Sequence, residues 1–494
     1  MNNEDLVRFV LSKISISEHH INSFNNFLRF GMQRVVDEVK EIVPDILPAG
    51  VRDLRIRFGR IWVDKPSFRE ADGTRHPILP TEARLRNLTY EAPIFLEMTL
   101  VQDGEEMDTE VVHIGEMPIM VKSEACYLSK MSEEEMIKAG EDPSDPGGYF
   151  IVNGTERVVV IVEDLCPNRI FVDKQRDPSR MYVAKIFSED GQYNIPHTVE
   201  KAKDGVIYVS FTRLQRIPFA ILMKALGFKK DKDIIEAIGL KDSRAMGDLY
   251  INLYEAKEIK NEEQALAYLG KKAGIMVAEK RVERAEEIID RFFLPHLGHS
   301  PLDRRKKGLF LGRMIKRLLL FSYGEIGADD KDHYKNKRVR LAGELVESLF
   351  RVAFRMLVGD MKYNFERLVK RSKLPKLQSI VRSQFFTQRM RSALATGEWV
   401  GERTGISQHL DRQNYYATVS HLRRVVSLLT TSRENFEARD LHPTHWGRLC
   451  TSETPEGPNV GLRKNLALGA RITQGVSEDE IIPKLKEVGL KEVE

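Results

Sequence analysis

The chain has 494 residues, of which 42% are hydrophobic and 30% are charged, so it is long enough for about three domains with their own cores. No apolar run approaches the ~20 residues of a membrane span, and the first five residues lack the basic and apolar regions of a signal peptide. The three cysteines lie far apart without a CxxC pair, which argues against a disulfide framework or a thiolate zinc site. We therefore expect a cytoplasmic protein.

The net charge of +4 conceals an uneven distribution of charge along the chain. Residues 1–300 carry 41 basic and 50 acidic side chains, whereas residues 301–470 carry 32 basic and 17 acidic ones. A basic segment in a nearly neutral chain is typical of a surface that follows a phosphate backbone. A solvated basic face, or a surface that matches an acidic partner protein, would show the same composition.

Apolar spacing predicts the elements of the first part of the chain. A helical stripe over residues 6–43 ends at Pro44, and the runs between residues 51 and 100 alternate as strands do. Residues 148–162 hold two β-rich runs around Asn153-Gly154, a dipeptide that suits the positive backbone angles of a hairpin turn. We interpret this hairpin as structural.

The middle of the chain is mixed and then becomes helical. Between about residues 181 and 328, apolar patterns predict several helices, among them 218–226, 234–238 and 280–293. Residues 339–370 place an apolar side chain at every fourth position from Leu341 to Leu357, which predicts a long buried helix.

Two clusters contain residue types that bind metals. Residues 329–333 combine three aspartates with His333, but five basic residues between Lys331 and Arg340 offer ion-pair partners, so we favour salt bridges over a cation site. In His442-Pro443-Thr444-His445, the proline breaks the helix that would align the two rings, so structural histidines are favoured.

The region from residue 405 to residue 470 is richest in groups that could bind nucleic acid. Residues 407–416 combine amides, a guanidinium and two tyrosines, and Ser420-His421-Leu422-Arg423-Arg424 follows closely. Amides and arginines bond phosphates and base edges, while tyrosine can stack on bases. Residues 453–462 form a loop dense in proline and glycine that carries Glu456 and Asn459, and an ordinary surface loop is the alternative interpretation.

Six motifs occur in this chain: EARLRNLTY at 82–90, GGYFIVNG at 147–154, DDKDHYKNKR at 329–338, SHLRR at 420–424, HPTHWGRLC at 442–450 and ETPEGPN at 453–459. In residues and in order they resemble those of one known family, the second-largest subunit of multisubunit DNA-directed RNA polymerases. This family comprises the bacterial β subunit and the archaeal and eukaryotic B subunits. The resemblance runs from about Ser23 to Ala470, and the first two motifs indicate the archaeal and eukaryotic branch.

The resemblance implies an α+β, multidomain fold. A discontinuous protrusion domain would take residues 1–180 and 335–395, with a lobe inserted at 181–334. A fork domain would follow at 396–475, and a tail at 476–494 would dock on a partner chain. Within the tail, the apolar residues at roughly helical spacing are Ile481, Ile482, Leu485 and Val488.

The resemblance also implies which residues face nucleic acid. Gln413, His421, Arg423 and Arg424 would line the side of the RNA–DNA hybrid. Arg433 would lie on the fork loop, and Glu456 and Asn459 would lie near the growing RNA. No catalytic residue and no metal ligand is expected in this chain, since the Mg²⁺ of the assembled enzyme is held by another subunit.

The implied function is that of a subunit of DNA-dependent RNA polymerase, a nucleotidyltransferase complex, in which this chain is not catalytic alone. It would be the amino-terminal half (B″ type) of a split second-largest subunit, as found in some archaea. Its partners would be the carboxy-terminal half (B′ type), the largest subunit, other polymerase subunits, the DNA template and the RNA transcript. No association with a membrane is expected.

Two departures and two alternatives accompany this interpretation. Residues 425–440 lack the glycines of the bacterial fork loop, so the resemblance predicts neither the conformation of this loop nor rifamycin binding. Thr451 stands where the family often has proline. One alternative is a stand-alone nucleic-acid-binding or scaffold protein. The other is a cloned fragment of a longer chain, against which the Met1 start and the acidic tail argue mildly.

Overall fold

The computed structural model describes residues 5, 16–48, 50–70, 73–174, 182–240, 242–371, 376–401, 403–429, 435–473, 475 and 478–490. The chain forms two compact units. Unit 1 comprises Met1–Asp164 and Val339–Glu494, and unit 2 comprises Leu165–Arg338. Unit 2 is therefore an insertion into the sequence of unit 1.

The helices are, in chain order, α1 Glu18–Asn26, α2 Met32–Val39, α3 Pro80–Leu85, α4 Glu133–Lys138, α5 Phe219–Ala225, α6 Asp231–Ile238, α7 Ser243–Glu255, α8 Glu262–Lys272, α9 Arg281–Phe292, α10 Arg304–Ser322, α11 Ala342–Val369, α12 Leu377–Ile380, α13 Ser383–Thr396, α14 Tyr415–Leu422, α15 Phe436–Arg439 and α16 Glu478–Glu487. A π-helical turn, Phe27–Gly31, joins α1 to α2. None of the helices in the described part of the chain is long and apolar enough to cross a membrane.

The strands are β1 Glu41–Ile42, β2 Leu54–Val63, β3 Ser67–Arg69, β4 Arg75–Pro77, β5 Glu91–Gln102, β6 Glu105–Pro118, β7 Phe150–Val152, β8 Thr155–Val159, β9 Ile161–Leu165, β10 Phe171–Lys174, β11 Tyr182–Glu189, β12 Asn194–Lys201, β13 Ile207–Phe211, β14 Leu214–Pro218, β15 Lys337–Arg340, β16 Ser407–His409, β17 Arg424–Ser427 and β18 Arg463–Asn465. The α+β class predicted from the sequence is confirmed.

The core of unit 1 lies between an antiparallel sheet, in the order β1-β2-β5-β6, and the helices α1, α2 and α11. Aromatic side chains connect these layers: the ring of Phe27 lies 5.7 Å from that of Phe350, and Phe58 lies 5.6 Å from Phe354. At the crossing of α1 and α11, the Gly343 amide donates to Ser23 Oγ at 3.0 Å. A side chain at Gly343 would overlap the Ser23 carbonyl, so only glycine fits there.

Two small sheets of unit 1 join distant parts of the sequence. β8 pairs antiparallel with β7 and with β16, and β17 pairs parallel with β9 and antiparallel with β18. The predicted hairpin is confirmed as β7–β8, whose turn residues Asn153 and Gly154 have φ values of 51° and 74°. Residues 407–409 and 424–427 are thereby fixed against strands from the first third of the chain.

Unit 2 is built on a five-stranded antiparallel sheet in the order β10-β11-β12-β13-β14, against which helices of the same unit pack. The three helices predicted here are confirmed as α5, α6 and α9. Unit 2 begins at Leu165, and its strand β10 pairs with β11 within its sheet. The division into protrusion, lobe, fork and tail stays a prediction.

The aspartates of residues 329–333 have protein partners. Asp329 accepts from Arg317 at 3.0 Å and from the Val172 amide at 2.7 Å, and Asp332 pairs with Lys337 at 3.0 Å. Among the residues that the structure describes, no group of three or more His, Cys, Asp or Glu side chains could hold a metal ion. The salt bridges expected at this cluster are observed for Asp329 and Asp332.

Other predicted elements differ in extent. The helix predicted over residues 6–43 occurs as α1, the π-helical turn and α2, while residues 6–15 lie outside the described part of the chain. The strand region of residues 51–100 also contains the short helix α3, which starts with Pro80 in its first turn. The long helix is confirmed as α11, and the tail contains α16.

Candidate nucleic-acid interface

Helix α14 is the centre of the region that the sequence singled out. The Asn414 side chain caps its first turn by accepting from the Ala417 amide at 2.8 Å, and Thr418 Oγ1 donates to the Asp411 carbonyl at 2.7 Å. The first bond satisfies one of the backbone N–H donors that a helix N-terminus leaves open, and the second ties the first turn to the chain that precedes it. They leave Tyr415 and Tyr416 exposed, the latter by 83%, as stacking surfaces would be.

Arg412 anchors the segment that leads into α14. Its guanidinium donates to Glu156 at 2.6 Å and to Asp145 at 2.7 Å, and it lies over the Tyr149 ring at 5.0 Å from the centroid. Arg84 donates to the same Glu156 at 2.8 Å, so two arginines share one carboxylate. The EARLRNLTY and GGYFIVNG motifs thus contribute residues that support the segment.

His421 lies 4% exposed near the end of α14, with both ring nitrogens bonded. Nδ1 accepts from the Asp411 amide at 3.1 Å, so Nε2 carries the proton and donates to Gln408 Oε1 at 3.1 Å. Burial, with Arg424 nearby, lowers the pKa of His421 to about 4. The ring is therefore neutral at physiological pH, and it fixes the backbone around it.

Arg423 is buried and connects the end of α14 to the chain after β18. Its guanidinium donates to the carbonyls of Ala467 at 2.6 Å and Leu468 at 3.2 Å. Burial lowers its pKa. The structure thus places His421 and Arg423 below the surface, and a direct contact of either with nucleic acid stays a prediction that would require the side chain to leave these partners.

Arg424 differs from its neighbour. It begins β17 and is half-buried, and burial together with the charge of Arg463 lowers its pKa. Within the described part of the chain, its guanidinium makes no hydrogen bond or ion pair, although Asp411 and Glu453 attract it from a distance. Two like charges in a partly dry site favour an incoming anion, and a phosphate can accept from a guanidinium in bidentate geometry.

The loop between α15 and β18 is tied to α14 at its base. Ser420 Oγ donates to Glu453 at 2.6 Å, and Thr454 Oγ1 donates to the Arg463 carbonyl at 2.9 Å. At the tip, Glu456 is exposed and Asn459 is half-buried, and neither side chain is bonded to another described residue. A contact of either with the growing RNA stays a prediction.

A buried ion pair lies beneath this region. Lys464 Nζ on β18 donates to both carboxylate oxygens of Glu163 on β9 at 3.1 Å. The two strands flank β17, which carries Arg424. The pair therefore joins the chain on either side of the candidate interface.

The structure brings together His421, Arg423, Arg424 and the base of the loop. Gln413 is exposed next to Arg412, without a side-chain bond to the others among the described residues, and Arg433 lies outside those residues. The structure adds four residues to the candidate site that the sequence analysis did not single out: Gln408, Asp411, Arg412 and Arg463. Three of these stood in the 407–416 motif, but only the fold shows which side chains hold the backbone.

Comparison with protein families matches residues 15–388 to the RNA polymerase beta subunit and residues 408–472 to RNA polymerase Rpb2, domain 3. The DNA-directed RNA polymerase subunit Rpo2 of Saccharolobus solfataricus is 48% identical over 478 residues, which cover 96% of this chain and 42% of the relative. The subunit Rpo2N of Methanocaldococcus jannaschii is 45% identical over 496 residues, which cover 98% of both chains. That of Halobacterium salinarum is 40% identical over 99% of this chain and 95% of its own length.

Proposed function

Because the chain belongs to the RNA polymerase beta subunit (Rpb2) family, we propose that it acts as the amino-terminal half of a split second-largest polymerase subunit. One observation carries this proposal. The same stretch that makes up 42% of Rpo2 in Saccharolobus solfataricus matches Rpo2N of Methanocaldococcus jannaschii over 98% of its length. The rest of the subunit would then come from a carboxy-terminal partner chain.

In this proposal the chain forms one wall of the nucleic-acid channel in DNA-dependent RNA synthesis. Residues 1–180 and 335–395 would be the protrusion, residues 181–334 the lobe and residues 396–475 the fork. Unit 2, Leu165–Arg338, contains the whole of the segment that would be the lobe. The half-buried Arg424, which has no bonded partner among the described residues, supports this assignment, as do the exposed Tyr415 and Tyr416. Contacts of this kind hold a phosphate backbone or stack on any base, as an enzyme that copies every template requires.

Catalysis would depend on other subunits. The described residues do not fit a Mg²⁺ site, since they contain no group of three metal-ligand side chains, and the aspartates at 329–332 already have protein partners. In our proposal the metal of nucleotidyl transfer is held by a different chain, and the largest subunit, DNA and RNA are further partners. Archaeal DNA is cytoplasmic, so we expect the complex there.

Subunit composition and activity test the proposal. The native complex that contains this chain should include a second chain with the remaining part of the subunit and a larger chain, as seen in intact masses. Purified alone, the chain should add no nucleotides to a primed template, whereas the reconstituted complex should. Robust synthesis by the chain alone, or a native state without polymerase partners, would contradict the proposal and favour a stand-alone nucleic-acid-binding protein.

The candidate interface has its own test. In the reconstituted polymerase, Arg424→Ala should weaken retention of a labelled RNA–DNA hybrid and lower the slope of log affinity against log salt by about 1, the loss expected for one phosphate contact. Arg29→Ala is the matched control, because Arg29 is an exposed arginine of unit 1 that pairs with Glu124. Equal salt slopes for both variants would remove Arg424 from the interface.

A further inference from the structure

The carbonyl of Leu422 is held by two histidines from the other end of the sequence. His20 Nε2 lies 2.8 Å from this oxygen and His19 Nε2 lies 3.1 Å from it, across more than 400 residues of sequence. Leu422 ends α14, and the last carbonyls of a helix have no partner within the helix. Two side-chain donors on one such carbonyl give a rigid attachment of α14 to the start of α1.

Both imidazoles act as neutral donors in a dry environment. His20 is fully buried and His19 nearly so, and their ring centroids lie 4.3 Å apart. Burial lowers the pKa of His20 to about 4 and lowers that of His19 well below its usual value. Because a carbonyl only accepts, the proton of each ring lies on Nε2.

Packing alone does not explain a histidine at position 20. Nδ1 of His20 is buried and has no hydrogen-bond partner among the described residues, and such a group costs about 1–3 kcal/mol. An apolar side chain would avoid this cost but would leave the Leu422 carbonyl without its nearer donor. The ring is thus explained by the bond that it makes.

That bond lies next to the residues of the interface. The peptide between Leu422 and Arg423 is fixed by the histidines, His421 before it is held by Asp411 and Gln408, and Arg423 after it is held by the 467–468 carbonyls. Arg424 comes next and has no side-chain bond of its own among the described residues. The direction of its Cα–Cβ bond, from which the guanidinium extends, is therefore set by the backbone that these contacts hold.

We propose that His19 and His20 are positioning residues that hold the Leu422 carbonyl and thereby aim the Arg424 guanidinium at a phosphate of the bound nucleic acid. This inference rests on the proposed function. It assigns to the first residues of α1 a specific part in nucleic-acid binding, although they lie outside the 405–470 region.

The test uses the reconstituted polymerase and a labelled RNA–DNA hybrid, whose retention is measured against salt. His20→Ala removes the nearer donor and should lower the salt slope toward that of Arg424→Ala, by up to about 1. His20→Gln keeps an N–H donor of similar reach and should retain the wild-type slope. His76→Ala, a substitution of an exposed histidine on β4, is the matched control.

The double variant His20→Ala/Arg424→Ala distinguishes an effect of His20 on the orientation of Arg424 from a general loss of stability. If the histidine acts through Arg424, the double variant should bind no more weakly than Arg424→Ala alone. Additive losses, or a wild-type slope in His20→Ala, would overturn the inference. An unchanged slope in Arg424→Ala would instead contradict the proposed interface.

His19→Ala provides a second variant if His20→Ala does not fold. It removes the longer bond and leaves His20 in place, so a smaller drop in slope is expected. A folded His19→Ala enzyme with the wild-type slope would overturn the role of His19 and, if His20→Ala is insoluble, the inference as a whole.

Discussion

Replacing Lys464 with Met should destabilise unit 1 by about 3–5 kcal/mol. The Lys464 and Glu163 side chains are only 7% and 3% exposed, and both carboxylate oxygens lie 3.1 Å from Nζ. Methionine keeps most of the lysine volume but removes the cation, so the Glu163 carboxylate stays in a low-dielectric site without this partner. The cost is the desolvation of that charge, rather than lost packing.

Tryptophan fluorescence during urea denaturation measures this effect selectively. The three tryptophans of the chain, Trp62, Trp399 and Trp446, all belong to unit 1. The double variant Glu163→Leu/Lys464→Met should recover most of the loss, because an apolar pair removes both of these buried charges. Arg29→Ala, which breaks an exposed ion pair, should cost about 0–1 kcal/mol.

The reasoning would be refuted if Lys464→Met cost no more than Arg29→Ala. It would also be refuted if the double variant were as unstable as the single one, since the loss would then come from packing and not from a buried carboxylate that has lost the lysine.

Three further results are expected from the same measurements. Burial lowers the pKa of His20 and His421 to about 4, so the unfolded chain binds more protons below pH ~6.5. The unfolding free energy of unit 1 should therefore fall as the pH drops from about 6.5 to about 4. Each of the two histidines contributes up to about 1.4 kcal/mol per pH unit, so the decrease should be smaller in His20→Gln. Gly343→Ala should lower the unfolding free energy of unit 1 by about 1–3 kcal/mol or more, because the added methyl group overlaps Ser23. Gly359→Ala on the same helix places its methyl group in open space and should be neutral or stabilising. Equal unfolding free energies for the two variants would contradict the tight crossing of α1 and α11. Deleting residues 478–490, of which residues 479–490 are exposed, should leave the stability of unit 1 within about 0.5 kcal/mol of wild type but weaken co-purification with the carboxy-terminal partner chain. Unchanged assembly would refute the docking role of the tail.

Local patterns predicted the elements that depend on local contacts. The apolar residues at every fourth position from Leu341 predicted a helix, which the structure shows as α11, and Asn153-Gly154 predicted the β7–β8 turn. The helix α3 within the strand region was missed, although Pro80 followed by Glu82 is a usual helix start. Six residues are too few for an apolar period to stand out.

The sequence by itself determined the family, through motifs whose order and spacing recur, and it located the basic segment and the 405–470 region. Only the tertiary structure decided which of these side chains reach the surface. Arg423 and Arg424 are adjacent, yet one is bonded to the 467–468 carbonyls and the other has no bonded partner among the described residues. The attachment of Leu422 to His19 and His20 could not be predicted either, because burial and hydrogen-bond partners depend on segments about 400 residues apart.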